Sequence, residues 1–215
     1  MTTWVIAVAR MLGLGTSAGL RPSLTLAVIG VMSVAGWGVQ VNGTFSFLQN
    51  RVVIAVLIVL ALSEASFDKI VKVDRLQDRL IAPYRLAGGA VAGAATIPFG
   101  WKGLVAGAAL GLFAAWFGQH TKHVTRPKSV PSDVVVAFLS FAEDVAAFLG
   151  SAVTLAVPYL GFLPPATSTV IFVRTGRRRR AKYRRFRRPP AAGPPEGPPG
   201  EAPGPFRASP GDGDD

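Results

Sequence analysis

The chain has 215 residues, 50% of them hydrophobic and only 16% charged, with 23 lysines and arginines against 12 acids for a formal charge of +11. A soluble domain carries about a quarter charged residues, so this composition argues against a water-soluble globule and for lipid. With no cysteine there is neither a disulfide framework nor a thiolate metal site.

The predicted elements are all helical. The N-terminal run MTTWVIAVARMLGLGTSAGL lacks a basic leader and a small-residue cleavage site and carries Arg10 within its apolar stretch, which reads as a retained membrane segment rather than a signal peptide. It spans about Trp4 to Gly19 and meets Arg21-Pro22. A second stretch runs from Ser23 to Val39, a third from Val52 to Ile70, and the charged run KVDRLQDR then reads as a loop. A fourth, short and glycine-rich, covers Leu86 to Phe99. The fifth covers Gly103 to His120, the sixth Val134 to Val157, and the seventh Tyr159 to Val173 with Pro164-Pro165 inside it. A helix needs about 20 residues to cross about 30 Å of hydrocarbon. The expectation is therefore an all-α, multi-pass transmembrane bundle of six to seven segments over residues 1–175. The first two form either two crossings or a re-entrant hairpin turning at Arg21-Pro22.

Residues 176–188 form a basic juxtamembrane segment. Ten of the 23 basic residues lie in 174–188, including Arg177, Arg178, Arg179 and Arg180. Directly after a membrane segment, such a cluster faces anionic lipid headgroups, at about 1 kcal/mol per basic residue near the surface; nucleic acid is not the expected partner. Residues 189–215 hold nine prolines and almost no large apolar side chains, the composition of a disordered tail ending in acid. With seven crossings, Arg21, Lys72, Arg75, Arg79, Lys122, Arg126, Lys128 and the tail share one side, while Arg51 and Lys102 fall on the other. By the positive-inside rule the N-terminus is outside, the C-terminus cytoplasmic and the location a plasma membrane.

Intramembrane charge is costly, at about 2.5–3.5 kcal/mol per residue on insertion scales, and so marks partners or wet cavities. Glu64 and Asp68 stand four apart on one face of the third helix. Glu143 and Asp144 lie in the sixth, with Glu64 and Glu143 at similar depth on helices of opposite direction. Two readings stay open. Glu64 and Glu143, with Asp68 and Asp144, form a proton or cation site facing one shared cavity; or each acid pairs with Arg10, Arg21, Lys69 or Arg85 and locks helices together. Arg21 and Arg85, each beside a short helix, hold an anionic group or anchor by snorkelling. Gly103, Gly107 and Gly111, spaced by four, form a small-residue packing face, echoed at Gly89 and Gly93. His120 and His123, near Asp133, are weak metal candidates, and no metal or other cofactor is expected.

Three segments carry a family resemblance: GLGTSAGLRPSLTLAVIG near the start, LALSEASFDKIVKVD in the third helix and LSFAEDVAAF in the sixth. In their order, over roughly residues 10–160, the chain resembles the bacterial membrane family catalogued as domain of unknown function 4126. APYRLAGGAVAGA is similar to that family's second arginine segment, with Arg85-Leu86 in place of the Arg-Pro that the family implies. The resemblance implies a membrane fold and no activity. The chain contains no serine-histidine-aspartate set, phosphate-cradling glycine motif or HExxH, so an enzyme is not expected. The functional expectation is a small-ion or small-solute transporter or channel using its intramembrane carboxylates. The alternative is a scaffold whose buried charges brace the helices.

Overall fold

The computed structural model describes residues 2–67, 71–125 and 133–186. Every element among them is helical: α1 (Thr2–Leu20), α2 (Pro22–Val34), a short 3-10 helix (Gly43–Gln49), α3 (Arg51–Phe67), α4 (Val71–Ala95), α5 (Gly100–Thr125), α6 (Asp133–Ala156), a second 3-10 turn (Pro158–Phe162) and α7 (Leu163–Phe186). The chain divides into a unit Met1–Gly176 and a unit Arg177–Asp215. Residues 189–215, expected to form a tail, lie outside the described residues.

The break between α1 and α2 is written in Arg21-Pro22. Proline has no N–H to continue the α1 ladder, and its ring pushes the preceding residue out of the helical region. Arg21 accordingly takes φ −144° and ψ 89°, and Pro22 opens α2 at its first position. At the other end, Gly36 adopts φ 72°. There Gly36 N–H donates to the Ser33 carbonyl and Trp37 N–H to Met32, the pattern that satisfies the last carbonyls of a helix. The chain then reaches Asn42, which ties three elements together. Its N–H donates to the Ala95 carbonyl at 2.8 Å, its side-chain amide donates to the Ile97 carbonyl at 3.2 Å, and its Oδ1 caps the 3-10 helix through Thr44 N–H.

The centre of the bundle is built from small residues. A Cβ added at Gly15 would lie 2.6 Å from the Gly111 carbonyl oxygen, one at Gly107 2.8 Å from that of Gly93, and one at Gly118 2.5 Å from that of Thr16. Backbones of α1, α4 and α5 thus meet directly, as small-residue faces in lipid allow. The order of these contacts makes α1 and α5 parallel and α4 antiparallel to both. At one end Trp4 stacks on Phe99 with centroids 4.4 Å apart; Arg21, seventeen residues on, stands roughly 25 Å further along the axis at 1.5 Å per residue. The outward faces are the reverse of the interior. Val52 is 70% exposed, Phe138 69% and Val105 61%, far more apolar surface than a soluble monomer leaves in water.

Three helices among the described residues are long and apolar enough to cross a membrane: Thr3–Leu20, Gly100–Lys122 and Ala137–Ala156. A fourth arises if the 3-10 helix and α3, bent by 68°, count as one span. Six to seven spans are more than this length and composition test yields. α2 is only 13 residues long, and α4 and α7 each join an apolar half to a charged one.

Two local expectations are corrected. The run KVDRLQDR lies in the N-terminal part of α4 rather than in a loop; Val73 and Leu76, with Leu80 just after it, recur at helical spacing. Pro164 and Pro165 lie in the first turn of α7, where the missing N–H groups would have had no intrahelical partner anyway, rather than within a continuous segment.

Candidate functional site

Arg21, Asp144 and Glu64, three of the charged residues expected within the membrane, meet at the α1–α2 junction, the end of the bundle away from Trp4. Arg21, 1% exposed, lies in the extended link before Pro22. Its Nε meets Asp144 Oδ1 of α6 at 2.5 Å, and its Nη2 donates to Ser140 Oγ, one turn earlier on α6, at 2.8 Å. Two residues along, Ser23 Oγ donates to Glu64 Oε1 of α3 at 2.5 Å and lies 2.9 Å from Tyr84 Oη of α4. The α1–α2 junction therefore touches α3, α4 and α6 through side chains two residues apart. Arg85, 2% exposed, follows Tyr84 in the same layer. Within α6, Ser151 Oγ donates to Thr25 Oγ1 at 3.1 Å, extending the polar seam between α2 and α6.

Glu143 has a different partner and a different setting. Its Oε2 lies 3.1 Å from Nζ of Lys122 on α5, with side-chain exposures of 13% and 0%. The pair lies in the wall of a cavity of about 410 Å³ between α1, α5, α6 and α7. Hydroxyls of Thr16, Ser17, Thr121 and Ser168 also line it, and the remaining wall is mainly leucine, valine, isoleucine and alanine. Ser17 Oγ is buried with no hydrogen-bond partner among the described residues. A carboxylate and an ammonium held together at a largely apolar wall can exchange their mutual contact for a proton or a small ion.

The acids that the sequence groups together differ in the partners they meet. Glu64 is engaged by Ser23, Asp144 by Arg21 and Glu143 by Lys122, and of the three only Glu143 lines the 410 Å³ cavity. Asp68 lies outside the described residues. Gly107 and Gly111 pack on Gly93 and Gly89 of α4, whereas Gly103 turns toward Phe99 and Ile97 in the α4–α5 link; Gly118 continues the interhelical stripe against Thr16. His120 is exposed and ring-stacked, with its centroid 5.5 Å from Trp116 and 5.9 Å from Phe172. The side chain of His123 lies outside the described residues, among which no three metal-ligating side chains cluster. Arg177 and Arg178 are exposed at the start of the second unit; Arg179 and Arg180 continue the α7 backbone, their side chains outside the description.

Sequence reasoning missed Lys122, read as a loop charge yet only 2% exposed, and the hydroxyl partners Ser23, Tyr84 and Ser140. The signals were present but weak. Ser23 directly follows the Arg-Pro break, Tyr84 precedes Arg85, and Lys122 falls at the end of an apolar helical run where α5 continues to Thr125.

The model of a family described as domain of unknown function (DUF4126) matches residues 8–178, which takes in the bundle from α1 into α7. No curated protein and no solved structure matches the chain.

Proposed function

This chain belongs to the family described as domain of unknown function DUF4126, and from that premise we propose that it is a membrane transporter or channel for a proton or small cation, with Glu143 as its acceptor group. The observation that carries this reading is the position of the Glu143–Lys122 pair in the wall of the 410 Å³ cavity. Lys122 offers the carboxylate a partner while no substrate is present. A proton or cation arriving in the cavity competes with the ammonium for the same oxygens, so occupancy weakens the α5–α6 contact. That couples binding to helix movement, the two-state element that transport requires.

We place the bundle in a plasma membrane as six to seven segments, with anionic headgroups along the cytoplasmic face. The N-terminus lies outside and the basic end inside. The distribution of Lys72, Arg75, Arg79 and Lys122 against Arg51 and Lys102 supports that orientation. Exposed Trp4, Trp37 and Trp101 supply an interfacial aromatic belt for the outer side.

A second reading, a scaffold whose charges brace the helices, is favoured by Arg21. Its 1% exposure and paired contacts to Asp144 and Ser140 describe a tie, not a site. The two readings divide by residue. In liposomes with an internal pH dye and a clamped potential, the wild-type chain should carry a proton or cation flux that Glu143→Gln lowers at least tenfold. Because that change removes one partner of Lys122, the double variant Glu143→Gln/Lys122→Met is the control. Replacing both partners of a buried pair is close to neutral for stability, so it should melt near the wild type and still carry no flux. Undiminished flux in the folded double variant would leave the scaffold reading standing.

A further inference from the structure

A second cavity, of about 310 Å³, lies at the opposite end of the bundle, lined by Arg10, Gly38, Gln40, Val41, Asn42, Thr96, Ile97 and Pro98. Its chemistry is the opposite of the Glu143 site, for no acid is among its lining residues and the one charge is Arg10. The Arg10 Nε is buried and makes no hydrogen bond within the described residues, and the same holds for Thr96 Oγ1, on a residue only 2% exposed. Two residues that each carry a buried, unsatisfied donor therefore line one cavity. Asn42 is already committed, its amide donating to Ile97 and its Oδ1 accepting from Thr44, so it shapes the wall and leaves the donors to Arg10 and Thr96.

An arginine within a membrane segment carries an insertion cost that a partner normally offsets. A buried guanidinium N–H without an acceptor leaves a further desolvation cost. Arg10 stands six residues beyond Trp4, roughly 9 Å along α1, with exposed Trp37 and Trp101 toward the same end. In the membrane placement proposed above, that depth falls at the boundary between headgroups and acyl chains. The Nε and one Nη of a guanidinium form a planar edge matched to two oxygens of a phosphate or carboxylate, and the Thr96 hydroxyl supplies a further donor.

We propose that Arg10 and Thr96 form an oxyanion site, filled by a phosphate group that is either a free anion entering from the Trp4 side or the headgroup of a phospholipid. The site is independent of Glu143, and neither proposal depends on the other. The test uses the full-length chain in two settings. In neutral-detergent micelles at constant ionic strength it is titrated with inorganic phosphate against chloride, by calorimetry. In nanodiscs of phosphatidylglycerol or of phosphatidylcholine, lipid retained on release is read by native mass spectrometry. Saturable phosphate binding in micelles identifies a free anion; selective retention of phosphatidylglycerol identifies the headgroup. In whichever setting binds, Arg10→Gln should weaken binding at least tenfold. Thr96→Val, which keeps shape and removes the donor, should weaken it about fivefold with helix content unchanged. Should Arg10→Gln fail to fold, Thr96→Val and Arg10→Lys, which keeps the charge and loses the planar edge, carry the same comparison. The absence of saturable binding in both settings, or equal binding by wild type and folded variants, overturns the site.

Discussion

At the scale of single residues, burial separates braces from groups that can exchange partners. Arg21 is only 1% exposed, and its guanidinium meets the Asp144 carboxylate directly. Breaking one side of a buried pair leaves the other charge uncompensated, a loss of about 3–5 kcal/mol. Asp144→Asn should therefore destabilise the bundle by about 3 kcal/mol or more, read by denaturation in mixed micelles. Ser140→Ala, which removes one acceptor and leaves the ion pair, should cost only about 1 kcal/mol. Tyr84→Phe belongs with Ser140→Ala, because Ser23 keeps Glu64 as its partner. Equal losses for Asp144→Asn and Ser140→Ala would show that the Arg21–Asp144 pair is not a tie.

At the scale of elements, the helices fit because side chains are missing where they meet. In lipid there is no hydrophobic drive between helices, so close packing does the work. A Cβ at Gly111 would run into the Gly89 carbonyl of α4, and one at Gly19 into the Ala115 carbonyl of α5. Neither obstacle is a flexible side chain, so backbone must move. Gly111→Val should cost about 1–3 kcal/mol or more by overpacking, whereas Gly43→Ala, with open space around it, should stay within about 0.5 kcal/mol. Melting temperatures of the two variants beside wild type decide this, and a Gly111→Val bundle as stable as Gly43→Ala would remove the glycine stripe as a packing determinant. The same logic explains the two prolines at the start of α7 and the one that opens α2. Each sits where a helix begins, and none interrupts a ladder that the fold needs.

At the scale of the whole molecule, the bundle buries serine, threonine, glycine and charge alongside an aliphatic core and leaves many large apolar side chains outside. Its two ends differ as well. One carries Arg21, Arg85 and Lys122 with their partners, the other Trp4, Trp37, Trp101 and the Arg10 cavity. Because the chain has no cysteine, single introduced cysteines report topology cleanly. Cysteine at Gln77, in the charged half of α4, should resist an impermeant thiol reagent in intact cells, while cysteine at Ser46, beside the Asn42 link, should react. The reverse pattern would invert the proposed orientation, and equal reactivity would contradict opposite-side placement of the two positions.

Much of this was legible from the sequence because the relevant physics is local. Apolar run length, the missing N–H of Pro22, the four-residue spacing of glycines and the rarity of charge in apolar helices each act within a few residues, so helical class, the Arg21 break and the charged candidates follow without coordinates. The helix in KVDRLQDR escaped because its charge outweighed its period. Pairing could not be read in the same way. Ser23 and Glu64 lie 41 residues apart in the chain, and Arg21 and Ser140 lie 119 apart, with no local rule linking them. Several cations and several acids satisfy the same requirement for a buried partner. Which meets which depends on the register at which α1, α4 and α5 close on their glycines, and that register is a property of the packed bundle. Tertiary packing alone set Glu143 beside Lys122 on a cavity wall, tied Asp144 to Arg21, and left Arg10 with a buried, unsatisfied Nε beside an acid-free cavity.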